Sequence, residues 1–144
     1  MDFRLFSDLG TRDLKRQIKN EEAVFLTLQK LVGVKFPSGA FVASVRAVDY
    51  GLLTFEEQLL TDMDTDLMIG PHGAGLMHNI FMPDRAALVE LFIDSSGSNK
   101  HYHNLASWYG RKYYGPVVSN PIPEDELLGI VRDALAKIDV NSAY

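Results

Sequence analysis

The stretch "DLMIGPHGAGLMHNIFMPDRAALVELF", residues 66–92, decides the fold of this chain. It places the apolar run "LMI" directly before three glycines, Gly70, Gly73 and Gly75, and a second apolar segment directly after them. Glycine loses more backbone entropy on folding than any other residue, so a glycine cluster at this junction needs a structural or functional reason.

The rest of the chain alternates between strand and helix patterns. The segments that predict strands are "FRLFSDL", "AFVASVRAV", "DLMI", "AALVELFI" and "RKYYGPVV". The segments that predict helices are "NEEAVFLTLQKLVG", "TFEEQLLTDM", "NKHYHNLASWYG" and "EDELLGIVRDALAKI". Continuous apolar strands separated by helices are typical of a parallel sheet that is covered on both faces. We therefore predict an α/β fold, a Rossmann-like parallel sheet with helices on both faces and central strands at residues 67–69 and 88–92.

Several helix ends are visible in the sequence. Asn20 is placed to cap the first helix and Gly33 to end it, and Thr54 with Glu57 has the spacing of a capping box. In the last helix, one face is predicted to be apolar at Leu127, Leu128, Val131, Leu135 and Ile138.

Composition limits the classes of function. The chain has 144 residues, of which 47% are hydrophobic and 23% are charged, as expected for one globular domain. It contains no cysteine and no apolar run long enough to cross a membrane. The net charge of −5 argues against nucleic acid as a partner, since binding phosphates broadly requires a basic face.

The glycine cluster is a candidate ligand site. In open parallel sheets, ligands bind beyond the carboxyl ends of the strands, and the free N–H groups of a helix start favour an anion such as a diphosphate. The spacing G-x-x-G-x-G differs from the dinucleotide fingerprint, and the Lys and Ser/Thr of a P-loop are missing. On the residues alone, an ordinary tight strand-to-helix turn remains an equal alternative.

Two other patterns suggest metal sites but do not fit them. Asp62, Asp64 and Asp66 have the spacing of a calcium loop but lack its glycine and its final glutamate, so we interpret them as a polar helix-to-strand turn. His101 and His103 are two residues apart, which places them on different faces of a helix. We expect no metal site.

The block "IGPHGAGLMHNIFMPDRAALVELF" resembles the signature of glycosyltransferase family 61, in which an H-G-A-G-L turn follows a buried strand. "LTFEEQLLTDMDTDLMIG" is similar to the helix that precedes this turn, and "RQIKNEE" to the family's R-x-I-x-N-E segment, through Arg16, Ile18, Asn20 and Glu21. Within that family the sequence most resembles the branch of the EGF-domain-specific O-linked GlcNAc transferases. It shares the "VDY" segment, residues 48–50, and a pattern matched by Gly75, Leu76, His78, Phe81, Pro83, Asp84, Ala86 and Ala87.

The resemblance implies a GT-B enzyme with two Rossmann-like domains that face a cleft. Residues 1–144 correspond to the C-terminal, nucleotide-sugar-binding domain, and the N-terminal acceptor domain is expected to be absent. The implied reaction is inverting transfer from a UDP-sugar, UDP-GlcNAc favoured and UDP-xylose possible, to a hydroxyl of a protein or glycan acceptor. The alternative is a non-catalytic nucleotide-binding or interaction domain that keeps the donor fold. The implied location is the ER or Golgi lumen for a eukaryotic full-length enzyme, and the cytoplasm otherwise.

The resemblance also implies roles for individual residues. Those expected to bind the donor phosphates are Arg16, His72, Gly73, Ala74, Gly75 and Leu76. Those expected to bind the nucleoside are Glu57, Gln58 and Glu90. The catalytic residue is left open, with His72 as a candidate. No cofactor or obligatory metal is expected, because the helix start and Arg16 neutralise the diphosphate. The plainer alternatives are a turn histidine at His72, a surface arginine at Arg16 and a purely capping Glu57.

Overall fold

The computed structural model of the chain describes residues 2–6, 18–93 and 99–137. Its strands are β1 (Asp2–Phe6), β2 (Ser44–Val48), β3 (Leu67–Pro71), β4 (Ala87–Leu91) and β5 (Lys112–Tyr114). Its α-helices are α1 (Glu21–Gln29), α2 (Phe55–Met63), α3 (His101–Trp108) and α4 (Glu124–Lys137), and two 3-10 helices span Tyr50–Leu52 and Ala74–Phe81. The predicted alternation of strands and helices is confirmed.

The five strands form one parallel sheet in the order β2-β1-β3-β4-β5. β3 and β4 lie inside the sheet and are buried along their whole length, which confirms the two predicted central strands. The chain builds the sheet outward from β1 to β2 and then crosses back to β3 on the other side of β1. Such a reversal between two neighbouring strands leaves a crevice at their carboxyl ends, where ligands of doubly wound sheets bind.

The side chains of alternate strand residues lie in two separate hydrophobic cores, one on each face of the sheet, as expected when both faces are covered. Leu67 and Ile69 of β3 belong to the core beneath α1 and α4. Met68 of β3 and Leu88 of β4 belong to the core beneath α3 and the Ala74–Phe81 helix. The predicted Rossmann-like arrangement, with helices on both faces, is therefore confirmed.

The helix ends agree with the sequence in one case and differ in another. At the start of α2, Thr54 Oγ1 accepts a hydrogen bond from the Glu57 N–H at 3.2 Å, and Glu57 Oε2 accepts from the Thr54 N–H at 2.8 Å, which confirms the capping box. The prediction that the Asn20 side chain caps α1 is wrong. That side chain is bound instead to both backbone polar groups of Ile122, in the segment before α4.

The segment after the glycine cluster is a 3-10 helix, whereas an ordinary helix was expected there. Short connectors often take this tighter form. The buried side chain of Arg111 holds its end, since the guanidinium donates to the carbonyl oxygens of Asn79 at 3.1 Å, Ile80 at 3.2 Å and Met82. The geometry of this segment is thus set partly by a residue that is distant in sequence.

α4 closes the fold against the α1 face of the sheet. Its buried residues are Leu127, Ile130, Val131, Ala134 and Leu135. Leu128, which was predicted on the apolar face, is only half-buried, and Ile138 lies outside the described residues. None of the helices in the described part of the chain has the length and apolar character needed to cross a membrane.

Candidate functional site

Residues 70–75, which contain Gly70, Gly73 and Gly75, are called the glycine loop. The loop lies at the carboxyl edge of the sheet, beside the crevice between β1 and β3. β3 ends at Pro71, His72 follows, and the 3-10 helix begins at Ala74. Gly73 is extended, with φ 175° and ψ 167°. Positive φ values among the described residues occur at Gly33, Gly39 and Gly110, so the loop glycines are not there to permit a left-handed backbone.

His72 is held at this edge by Glu90 of the neighbouring strand. Gly70 is the register partner of Glu90, so His72, two residues after Gly70, lies on the same face of the sheet as the carboxylate. His72 Nδ1 lies 2.8 Å from Glu90 Oε2. The His72 side chain is 13% exposed and the Glu90 side chain is fully buried, so only the histidine of this pair reaches the surface.

Tyr113 of β5 binds the second oxygen of the same carboxylate. Its hydroxyl donates to Glu90 Oε1 at 2.6 Å. Burial, followed by the hydrogen bond to Glu90 and the charge of that carboxylate, raises the pKa of Tyr113 well above its ordinary value. The hydroxyl therefore remains a donor throughout the range in which the protein would work. We call His72, Glu90 and Tyr113 the His72 network.

Aromatic rings fix the plane of the His72 imidazole. Phe92 stacks on it with ring centroids 5.8 Å apart, and Tyr102 of α3 meets it edge-on at 5.3 Å. The other ring nitrogen, Nε2, lies 3.4 Å from Asn99 Nδ2 on the exposed side of the ring. The ring thus has one nitrogen bound to a buried carboxylate and one nitrogen on its exposed side, beside the Asn99 amide.

A second buried carboxylate makes a similar set of contacts elsewhere. Asp62 of α2 is fully buried and accepts hydrogen bonds from the Tyr50 hydroxyl and from His78 Nδ1, the latter at 2.5 Å. The rings of Tyr50 and His78 stack with their centroids 3.8 Å apart. This group, the Asp62 network, joins α2 to the 3-10 helix and does not include a residue of the glycine loop.

The other predicted phosphate-binding residues are placed as follows. Ala74 and Gly75 are the first two residues of the 3-10 helix, as the hypothesis of an anion at its start requires. Leu76 differs from the expectation, because its side chain is fully buried and its N–H donates to the Gly73 carbonyl at 3.1 Å. Arg16 lies outside the described residues.

The predicted nucleoside-binding residues are engaged within the protein. Gln58 Nε2 donates to the carbonyl oxygens of Tyr50 at 2.9 Å and Leu53 at 3.2 Å, and Glu57 completes the capping box. Glu90 was expected to accept ribose hydroxyls, but its full burial keeps it from direct contact with a ligand. The requirement that a buried carboxylate find hydrogen-bond partners is met by His72 and Tyr113.

The acidic turn and the two neighbouring histidines have structural contacts. Asp66 forms an ion pair with Arg85 at 3.0 Å, beside the start of β3. His103 stacks on Tyr113 at 4.5 Å, whereas His101 is exposed. Within residues 2–6, 18–93 and 99–137, no three His, Cys, Asp or Glu side chains come together in a way that could hold a metal ion.

Sequence reasoning missed Tyr113 and Asn99 as neighbours of His72. Tyr113 could have been found by extending the two-residue alternation across the sheet, because Leu88 is its register partner and Glu90 follows Leu88 on the same face. Asn99 could not, since its approach depends on how the segment before α3 returns to the sheet.

The chain is similar in sequence to known glycosyltransferases. The sequence model of the family described as Glycosyltransferase 61 matches residues 4–89, which include β2, β3 and the glycine loop. The EGF domain-specific O-linked N-acetylglucosamine transferase of Drosophila melanogaster is 33% identical over 105 residues, 73% of this chain and 18% of that protein. The protein of the same name from Rattus norvegicus is 52% identical over 71 residues, 48% of this chain and 13% of its own length. The chain thus matches less than a fifth of the length of these relatives.

Proposed function

This chain belongs to glycosyltransferase family 61, and on that premise we propose that it is the nucleotide-sugar-binding domain of a glycosyltransferase of GT-B architecture. The proposed donor is a UDP-sugar, with UDP-GlcNAc first and UDP-xylose second. The proposed reaction is inverting transfer of the sugar to a hydroxyl of a protein or glycan acceptor. UDP-GlcNAc comes first because the similar proteins from fly and rat are named as N-acetylglucosamine transferases.

The position of the glycine loop carries the proposal. The loop follows a central parallel strand at the edge where the strand order reverses, which is where sheets of this type bind nucleotides. The first N–H groups of the helix that starts at Ala74 have no carbonyl partner within that helix and favour a negative charge. Residues 73–75 carry no side chain larger than a methyl group, so a diphosphate can approach the backbone closely.

His72 adds a polar group to the same edge. In sugar transfer from UDP, negative charge builds up on the departing β-phosphate, and a hydrogen-bond donor placed there lowers the barrier. Nε2 of His72 lies on the exposed side of the ring, beside the Asn99 amide, and in the imidazolium form it carries the hydrogen that such a donor needs. Arg16 is the second proposed phosphate contact. With these groups neutralising the diphosphate, we propose that no metal ion is obligatory.

Isothermal titration calorimetry of the chain with UDP, UDP-GlcNAc, UDP-xylose and ADP tests the proposal. We expect UDP and at least one UDP-sugar to bind, and ADP to bind at least tenfold more weakly. Equal binding of UDP and ADP, or no binding of either, contradicts the proposal. UDP binding without binding of any UDP-sugar favours the alternative, a non-catalytic nucleotide-binding domain.

A further inference from the structure

The full burial of Glu90 calls for an explanation in terms of function. The other four residues of β4 are apolar and buried, so an apolar side chain at this position would suit the sheet without any need for partners. Glu90 instead places a carboxylate between His72 Nδ1 at 2.8 Å and the Tyr113 hydroxyl at 2.6 Å. A buried carboxylate is unfavourable unless it is well hydrogen-bonded, so the position is poorly explained by packing alone.

The contact with Glu90 determines which nitrogen of His72 carries a hydrogen toward the core. A carboxylate only accepts hydrogen bonds, so Nδ1 carries a hydrogen and the other nitrogen, Nε2, faces away from Glu90, toward the Asn99 amide. In the imidazolium form both nitrogens carry hydrogens, so Nε2 can then donate to a phosphate oxygen while Nδ1 stays bound to Glu90. Phe92 and Tyr102 prevent the ring from turning away, and Tyr113 keeps the carboxylate from rotating. The hydrogen on Nδ1 and the orientation of the His72 ring are therefore both set by groups behind it.

We propose that Glu90, held by Tyr113, is a positioning residue that presents Nε2 of His72 to the diphosphate of the donor. This role rests on the proposed function, because it assumes that the diphosphate lies at residues 73–75. It extends that function by giving Glu90 an indirect role: the carboxylate acts through His72 and does not touch the ligand.

The Asp62 network supplies a matched control. Asp62 is also fully buried and is also bound to a tyrosine hydroxyl and to Nδ1 of a histidine. Its partners, Tyr50 and His78, lie outside the glycine loop. If Glu90 only stabilised the fold, then Glu90→Gln and Asp62→Asn should have the same kinds of effect. If Glu90 positions His72, the two variants should differ in their response to a diphosphate.

The experiment compares the affinities of UDP and uridine for the parent chain, Glu90→Gln, Tyr113→Phe and Asp62→Asn. Uridine lacks the diphosphate, so a selective loss of UDP binding reports on the phosphate contact. We expect Glu90→Gln to weaken UDP at least tenfold with uridine changed less than twofold. Tyr113→Phe should give a smaller loss of the same kind. Asp62→Asn should leave the ratio of the two affinities unchanged, even where it lowers the melting temperature.

Nitrogen-15 NMR of the histidine rings gives a second readout that needs no ligand. In the parent chain, we expect Nδ1 of His72 to be protonated, and in Glu90→Gln we expect that preference to weaken. An unprotonated Nδ1 in the parent overturns the proposal. So does parallel loss of UDP and uridine in Glu90→Gln, or unchanged UDP binding in that variant. If the parent chain itself does not bind UDP, the proposed function is overturned. That outcome differs from failure of the Glu90 proposal, in which the parent binds UDP and only the variants decide.

Discussion

The side chain of Asn20 forms two hydrogen bonds with the backbone of Ile122, 102 residues further along the chain. Its Nδ2 donates to the Ile122 carbonyl at 2.8 Å, and its Oδ1 accepts from the Ile122 N–H at 2.9 Å. The amide thus joins the segment before α1 to the segment before α4, on the face of the sheet that both helices cover.

Replacing this amide should destabilise the domain. Asn20→Ala leaves two part-buried backbone groups without their partner, so we expect the free energy of unfolding to fall by about 1–3 kcal/mol. Asn20→Asp keeps the acceptor and loses the donor, so its free energy of unfolding should lie between those of the parent and Asn20→Ala. Urea unfolding measures both, with the exposed Glu22→Ala as control. An unchanged urea midpoint in Asn20→Ala would mean that water replaces the amide without loss.

Arg111 should be needed for the geometry of the 3-10 helix. Arg111→Met removes the donors to the carbonyl oxygens of Asn79, Ile80 and Met82. We expect the free energy of unfolding to fall by at least about 2 kcal/mol. Arg111→Lys should be little more stable than Arg111→Met, since one ammonium group cannot reproduce the planar set of guanidinium donors. Guanidinium chloride unfolding gives the result, with the exposed Lys112→Met as the matched control. Full recovery in Arg111→Lys would show that charge alone matters.

Gly75→Ala separates ligand approach from folding. Gly75 lies in the 3-10 helix and does not have a positive φ, so an added methyl group does not force the backbone out of a left-handed conformation. We expect a melting temperature within a few degrees of the parent and UDP binding weaker by more than about tenfold, or about 1.4 kcal/mol. Loss of cooperative unfolding, or unchanged UDP affinity, would assign the glycine to the architecture of the turn.

The capping box allows stability and nucleoside binding to be measured apart. Thr54→Ala removes the cap of α2 and should cost about 1 kcal/mol, with UDP affinity unchanged. Glu57→Ala breaks the same box, and if Glu57 also contacts the uridine it should weaken UDP and uridine together. Thermal melts and calorimetric titrations decide the point. Equal affinities in Thr54→Ala and Glu57→Ala would leave Glu57 a capping residue only.

Glu21 should lower stability as the pH rises. Burial, and then the nearby charge of Asp49, raises the pKa of the Glu21 carboxyl in the folded protein. Between the unfolded value, about 4.3, and the higher folded value, the folded state holds a proton that the unfolded state has lost, so stability falls with rising pH. Glu21→Gln should remove this decline. Urea unfolding of both proteins from pH 4 to 7 should show their difference growing through that window and then levelling off. A constant difference would contradict the assignment.

The sequence by itself determined the strands, the helices and the parallel sheet, because burial on both faces requires continuous apolar strands such as "ALVEL" and amphipathic helices between them. It also placed the candidate site, since "HGAG" directly follows the central strand β3. These signals are local, and each lies within a few residues. The capping box of Thr54 and Glu57 was read correctly for the same reason.

Only the tertiary structure decided which polar groups meet. Asn20 has the right residue type and position for a helix cap, but a distant backbone segment binds its side chain instead. From the sequence, Glu90 was predicted to bind a ribose. The register of β4 with β3 and β5 instead brings its carboxylate to His72 and Tyr113. Such pairings depend on strand order and on how loops return to the sheet. A side chain with several possible partners is committed only when folding brings one of them within hydrogen-bond distance and excludes water from the rest.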